Sequence, residues 1–327
     1  MFGYWSLYAL LAGALIDVLI GDPHWLPHPV MLMGKLISAL EKLLRRIFPK
    51  TKRGENAAGL VLWAIVAPLS FLVPAAILML CYHFSKWLGF GIESVMCWQC
   101  LAARSLYTES MKVKKVLDTG DIAASRRAVS MIVGRDTAEL DEKAVARAAV
   151  ETVAENTSDG VIAPLIFLAI GGGPLGMFYK AVNTMDSMLG YIEPPYKHFG
   201  LVPAKLDDVF NFIPARVSAM LMLLGGGMLG FSMKNGFRIF RRDRYKHASP
   251  NSAQTESVMA GLMGLRLAGD AYYHGVLHKK EFIGDPLREI ENDDIRRSNG
   301  IMFMTALLAL ILFGGLRLAA LVLINAL

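Results

Sequence analysis

Three short stretches of this chain combine carboxylates, amides and cations at spacings that suit phosphate and metal chemistry. In Tyr179-Lys180-Ala181-Val182-Asn183-Thr184-Met185-Asp186, the polar residues Lys180, Asn183 and Asp186 recur at every third position. That spacing predicts one polar side on a helix. Two readings follow: a Lys180–Asp186 pair near a membrane interface, or a lysine for an anionic substrate group beside an aspartate for Mg²⁺. In the second stretch, Asp207-Asp208 precedes Asn211 and Arg216. Adjacent carboxylates with a nearby amide suit a hard cation that keeps waters and bridges phosphates, and Arg216 could clamp a phosphate. The bland alternative is helix-start acids followed by an interfacial arginine that snorkels.

The third stretch is a row of Lys143, Arg147, Glu151 and Glu155 at successive i+4 steps. On a helix these share one face, either as a solvated salt ladder or as an acidic site. Asp136-Thr137-Ala138-Glu139 resembles a capping box, and Gly160 after Asn156-Thr157-Ser158-Asp159 predicts the helix end. Near the start, Gly21-Asp22-Pro23-His24-Trp25-Leu26-Pro27-His28-Pro29 has too many prolines for a helix, so His24 and His28 are not a helical metal pair. Cys97 and Cys100 have CxxC spacing, but the chain has only one further cysteine, Cys81, and buried thiols are the expectation. No Walker A run, GxSxG elbow, HExxH or GxGxxG is present.

The elements that position these residues are membrane helices. Of the 327 residues, 54% are hydrophobic and 19% charged, and the mean hydropathy is +0.42. Soluble domains carry about 25% charged residues. Ala57–Ser85 runs 29 residues without Asp, Glu, Lys or Arg, Gly160–Tyr179 runs 20, Val217–Met233 runs 17 and Ser298–Leu316 runs 19. About 20 apolar residues cross a hydrocarbon core. A soluble enzyme, a disordered chain and a nucleic-acid-binding domain are excluded as first readings. The net charge of +6 needs no nucleic-acid partner, because membrane proteins collect Lys and Arg in cytoplasmic loops. Tyr4–Ile20 lacks the basic start of a cleavable signal peptide.

The expected fold is an all-α, polytopic membrane helical bundle in a single domain spanning 1–327, with about four to six membrane segments. Residues 104–159 form a polar helical cytoplasmic insertion. The run at 160–179, interrupted by Pro164 and Gly171-Gly172-Gly173-Pro174, predicts a re-entrant or broken helix. Seven Lys/Arg against three acids at 21–56, and twelve against nine at 234–297, assign those loops to the cytoplasm. Counting crossings then puts 180–211 outside, unless Gly160–Tyr179 does not fully cross.

Taken in order, six blocks resemble the adenosylcobinamide-phosphate synthases, the CbiB/CobD type of cobalamin biosynthesis protein. They are Gly21-Asp22-Pro23…Pro27-His28-Pro29-Val30, Val133-Gly134-Arg135-Asp136-Thr137, Glu151 to Gly160, Tyr179 to Ser187, Asp207-Asp208…Asn211…Ile213-Pro214-Ala215-Arg216, and His247-Ala248-Ser249-Pro250-Asn251. Ser252-Ala253-Gln254-Thr255-Glu256 departs from the Gly-containing run expected there, which leaves Glu256 without a role.

The resemblance implies a multi-pass cell-membrane ligase whose site opens to the cytoplasm. It would use ATP and Mg²⁺ to join a propionate of adenosylcobyric acid to (R)-1-aminopropan-2-ol phosphate or ethanolamine phosphate. Its partners would be that corrinoid, the amino-alcohol phosphate, membrane lipid and other membrane-bound cobamide-assembly enzymes, with no nucleic acid. The matched blocks nominate Lys180, Asp186, Asp207, Asp208, Arg216, Glu151 and Glu155 for catalysis. Asn183, Asn211, Arg135, Asp136, Asp159, Asp22, His28, His247 and Asn251 are nominated for binding, and Asp207, Asp208 and Asp186 for Mg²⁺. An acyl phosphate is the expected activated species, with a carboxylate, His28 or His247 as base. Two other readings are open: a Mg²⁺-dependent intramembrane prenyltransferase, using Asn183-x-x-Asp186 and Asp207-Asp208, and a non-catalytic sensor or transporter of the AmpE-like type, using the same broken helices.

Overall fold

Short polar side chains set where several helices begin. In the computed structural model, which describes residues 3–23, 25–191, 193–273 and 275–326, Thr51 accepts a hydrogen bond from Gly54 N at 3.1 Å and starts a 33-residue helix. Asp121 and Asp141 do the same for the shorter helices that follow them. Among the described residues the helices run α1 (Tyr4–Ile20), α2 (Pro29–Ile47), α3 (Lys52–Phe84), α4 (Lys86–Cys100), α5 (Ala103–Leu117), α6 (Ile122–Ser130) and α7 (Glu142–Asn156). They continue as α8 (Ala163–Leu189), α9 (Leu201–Met228), α10 (Met233–Asp243), α11 (Ser252–Met263) and α12 (Asp293–Ala326). Two small antiparallel ladders lie between α11 and α12. In them β1 (Arg266–Ala268) pairs β4 (Phe282–Gly284), and β2 (Ala271–Tyr273) pairs β3 (Val276–His278).

Among the described residues, four helical runs are long and apolar enough to cross a membrane: α3, Glu142–Leu189, α9 and α12. The chain is an all-α polytopic membrane protein, as expected, at the lower end of the anticipated segment count. Tyr4–Ile20 is apolar but 17 residues long, and α4 has 15 residues and carries Glu93. At 1.5 Å per residue α4 extends only about 22 Å, short of a roughly 30 Å hydrocarbon core.

Two helix ends differ from the sequence expectation. The capping aspartate of α7 is Asp141 rather than Asp136, because Asp136 is engaged elsewhere: its N–H donates to Tyr272 O at 2.8 Å and its Oδ2 accepts from Gly275 N at 2.7 Å. Gly160 does not stop the helix either. Residues Thr157–Ile162 widen into a π-helical turn that leads directly into α8. Thr157 Oγ1 bonds back to Val153 O at 2.6 Å across that transition.

The contacts divide the chain into two compact units. One comprises Met1–Ala102, Ala163–Asn211 and Leu312–Leu327, and the other Ala103–Ile162 and Phe212–Ile311. Within the first, α8 is broken where the sequence predicts. Gly171 and Gly172 leave helical geometry, with Gly172 at φ 64° and ψ −161°. The break frees the Gly173 N–H, which donates to Glu93 Oε1 at 3.3 Å. Tyr82 OH at 2.7 Å and Ser6 Oγ also donate to the Glu93 carboxylate. Arg317 donates to Ser6 Oγ at 2.7 Å and to Leu168 O at 2.9 Å, just before the break. Buried charge at such depth survives only when its hydrogen-bonding capacity is filled.

In the second unit, α7 and α11 pack against α5, α6, α10 and β4 around Val113, Val129, Val150, Ile239, Met259 and Ile283, all fully buried. Every residue of α11 is buried.

A Cβ at position 172 would overlap the Glu93 carboxylate and approach Ser6 Oγ to 2.9 Å, at a backbone φ that side chains rarely adopt. Gly172→Ala should therefore cost about 1–3 kcal/mol, read as a lower thermal midpoint in detergent. Gly91→Ala, whose Cβ meets open space, should leave the midpoint unchanged. Equal midpoints for the two variants would remove the constraint assigned to the break.

Candidate functional site

In the second unit, the α7 acids form an enclave rather than a solvated ladder. Glu151 and Glu155, one turn apart, point from α7 toward α11 and the β1 edge. Glu151 makes an ion pair with Arg135, and its other oxygen accepts from Ala268 N at 2.6 Å. Glu155 accepts from Ser252 Oγ at 2.8 Å. Lys143, at the exposed end of the row, pairs instead with Glu289 at 2.8 Å. With Glu256, His247, Tyr273 and Lys280, these acids line a cavity of about 130 Å³.

Glu256 on α11 is 5% exposed and makes no hydrogen bond among the described residues. Burial, then the neighbouring Glu155 and Glu151, push its carboxyl well above the ordinary range. Lys280 Nζ donates to Tyr273 OH at 2.7 Å and sits 4.8 Å above that ring. The His247 Nδ1 accepts from Ser249 N at 3.1 Å. Burial depresses the His247 pKa; Glu155 opposes that shift and Lys280 adds to it. A neutral imidazole near pH 7 is the result.

In the first unit, the residues of α8 separate rather than acting as one row. Lys180 lines a cavity of about 360 Å³ with Asp22, His28 and Gln99. His28 caps α2, accepting from Val30 N at 3.2 Å, and lies 3.8 Å from Asp22. Burial lowers the His28 pKa; Asp22 opposes this and Lys180 reinforces it. Asn183 and Asp186, further along α8, lie beside Asp207 instead. Positions i and i+6 are about 120° apart around a helix of 3.6 residues per turn, so the two ends of the row face different neighbours.

Asp207 is buried on α9, with Asp208 next to it in sequence. Asn211 donates to Asp207 Oδ2 at 2.9 Å and accepts from Tyr179 OH at 2.8 Å. Asp207 Oδ1 is buried without a hydrogen bond.

The remaining candidates are dispersed. Arg216 stacks 3.5 Å from the Phe212 ring and donates to Asn251 Oδ1 at 3.2 Å. Asp159 is on the π-helical turn, and Asp136 holds the β2–β3 hairpin. Arg135 also borders a groove of about 930 Å³ lined by Arg126, Arg127, Asp136 and Tyr272. His24 lies outside the described residues. Sequence reasoning missed Ser252, Tyr273 and Lys280 and gave Glu256 no role. One signal was available: Glu256 is the only charged side chain between Lys246 and Arg266.

Two stability predictions follow. Both histidines have folded pKa values below the unfolded value of about 6.5, so their contribution is present above that pH and lost as pH falls through it. Unfolding midpoints should drop between pH 7 and pH 5, and His247→Gln should flatten the profile; an unchanged profile would remove the histidine linkage. Arg135→Ala leaves Glu151 buried without its ion-pair partner, which should cost about 3 kcal/mol. Adding Glu151→Gln to that variant should recover part of the loss in the same unfolding measurement.

The sequence profile described as "CobD/Cbib protein" matches residues 10–302. A "Cobalamin biosynthesis protein CobD" of Clostridium perfringens is 45% identical over 302 residues, covering 92% of this chain and 95% of the relative. The Klebsiella pneumoniae protein of the same name is 45% identical over 313 residues, covering 95% and 98%. A "Cobalamin biosynthesis protein CbiB" of Salmonella choleraesuis is 44% identical over 300 residues, covering 91% and 93%. No solved structure matches the chain. With end-to-end similarity of this kind, and with the six sequence blocks set on its buried polar clusters, the chain belongs to the CobD/CbiB family of cobalamin biosynthesis proteins.

Proposed function

We propose that this chain is an ATP-dependent ligase of the cell membrane. It joins a propionate carboxylate of adenosylcobyric acid to (R)-1-aminopropan-2-ol phosphate or ethanolamine phosphate, giving adenosylcobinamide phosphate in cobalamin biosynthesis. The observation that carries this reading is the convergence of the partly buried Glu151 and Glu155 and the buried Glu256 on one cavity with His247, Arg135 and Lys280, in a chain of this family. Core packing has no need of so many ionisable groups, and a site that shifts groups such as His247 and Glu256 is where acid–base and charge chemistry is done.

A carboxylate does not acylate an amine until its oxygen becomes a leaving group. ATP with Mg²⁺, when bound, would supply the phosphoryl group for that activation. The first unit's donors fit such a ligand. Among the described residues no three His, Cys, Asp or Glu side chains could hold a metal ion by themselves. Mg²⁺, however, commonly takes one or two carboxylates and completes its shell with water and phosphate. The unbonded Asp207 Oδ1, with Asp186 near it, is such a donor set. Lys180 would hold phosphate oxygens as a point charge at its cavity. In the second unit, the neutral His247 can accept the proton that the amine loses on acylation. Because ATP is cytoplasmic, this reading has the Lys180 cavity opening to the cytoplasm.

The test is reconstitution of the purified full chain with adenosylcobyric acid, the amino-alcohol phosphate, ATP and Mg²⁺, with the amide product read by mass spectrometry. Product should require all four. Nucleotide turnover indifferent to the corrinoid, or no amide, would overturn the ligase reading. Asp207→Asn and Asp208→Asn should abolish ligation in a folded, membrane-inserted protein. Glu155→Gln should lose about tenfold or more, equivalent to roughly 1.4 kcal/mol of barrier. Lys180→Ala should raise the KM for ATP more than that for the corrinoid.

A further inference from the structure

We propose that the cavity between α7, α11 and Lys280 binds a small zwitterion carrying a primary ammonium and a phosphate. Glu155 and Glu256 would receive the ammonium, and Lys280 the phosphate. This rests on the ligase reading, because the amine co-substrate of that reaction is such a molecule, and it assigns that co-substrate a subsite.

Three observations within the second unit support the assignment. The first is size. At about 130 Å³ the cavity is of a size that suits a short amino-alcohol phosphate.

The second is charge. Glu151 is neutralised by Arg135, but among the described residues Glu155 has only the Ser252 hydroxyl and Glu256 has no hydrogen-bond partner. Glu256 is 5% exposed and lines the cavity. A buried carboxyl that faces a cavity without a partner is costly unless a ligand completes it. An ammonium suits such a pair of acids: its three N–H bonds reach separate acceptors, each at ordinary hydrogen-bond distance.

The third is polarity. Lys280 is held by the Tyr273 hydroxyl and ring, neither of which neutralises it. A cation, the Glu155 carboxylate and the Glu256 carboxyl, which a bound ammonium would hold ionised, match on one small cavity a ligand whose opposite charges are two or three carbons apart. They match neither a plain phosphate nor a plain amine.

Binding is tested without turnover, by calorimetry on the purified full chain in detergent with ATP and corrinoid omitted. The probes are (R)-1-aminopropan-2-ol phosphate, ethanolamine phosphate, 1-aminopropan-2-ol and inorganic phosphate. The two zwitterions should bind more tightly than either half-ligand. Glu256→Gln and, separately, Glu155→Gln should weaken both zwitterions by about tenfold or more, as expected for a lost charge-assisted hydrogen bond. Lys280→Met should weaken the phosphate-bearing probes and leave the plain amine unaffected. All three variants should retain wild-type affinity for ATP, which also shows that they are folded. Wild-type affinity for the zwitterions in Glu256→Gln and Glu155→Gln, or zwitterions binding no better than inorganic phosphate, would overturn the subsite. If the variants lose zwitterion binding while the wild-type chain forms no amide, the subsite stands and the ligase reading falls. If amide forms and the variants bind normally, the subsite alone falls.

Discussion

A carboxylate in an apolar bundle has to be satisfied by the protein itself, and the Glu93 carboxylate meets this constraint by closing the break in α8. The Gly171–Gly172 interruption exposes backbone groups that no lipid can bond. Glu93 takes the Gly173 N–H, and Arg317 takes the Leu168 carbonyl on the other side. Ser6 donates to Glu93 and accepts from Arg317, so one hydroxyl ties α1, α4 and α12 to the break. Without that closure the two halves of α8 would have no fixed relation. The second half carries Lys180, Asn183 and Asp186, so the placement of those side chains depends on charges several turns away.

The second unit meets the same constraint with a different outcome. Around α7 and α11, Glu151 is filled by Arg135 and a backbone N–H, and Glu155 accepts from one hydroxyl, while Glu256 has no hydrogen-bond partner among the described residues. A fold that needed only stability would place an apolar side chain at position 256, where every neighbour along α11 is buried. The incomplete pairing motivates both the ligase reading and the ammonium subsite.

The helix ends show how local rules give way to tertiary demands. Asp136-Thr137-Ala138-Glu139 satisfies the capping pattern, yet the hairpin of β2 and β3 takes both the backbone and the side chain of Asp136. The cap moves to Asp141, five residues on, which fits the same rule equally well. Gly160 has the composition of a helix end, but Gly160, Val161 and Ile162 are buried, and the chain passes through a π-helical turn instead of stopping.

By itself the sequence determined the class of the protein: charge-free runs long enough to cross a membrane, the break at Gly171–Gly172, the polar helices of 104–159 and the family blocks. Those features depend on composition and short-range geometry, which a linear reading contains. It also named most of the buried acids, because charge amid apolar residues is visible wherever it occurs. Which of them meet was decided by tertiary structure. Lys180 joins Asp22 and His28 while Asp186 joins Asp207, a division set by helix rotation and by what packs against each face. Lys280 reaches the enclave from the loop between β3 and β4, more than a hundred residues beyond Glu155, and Glu256 acquires its environment only once α7 and α11 are side by side. Burial is a property of the neighbours a residue receives on folding, and no spacing along the chain specifies them.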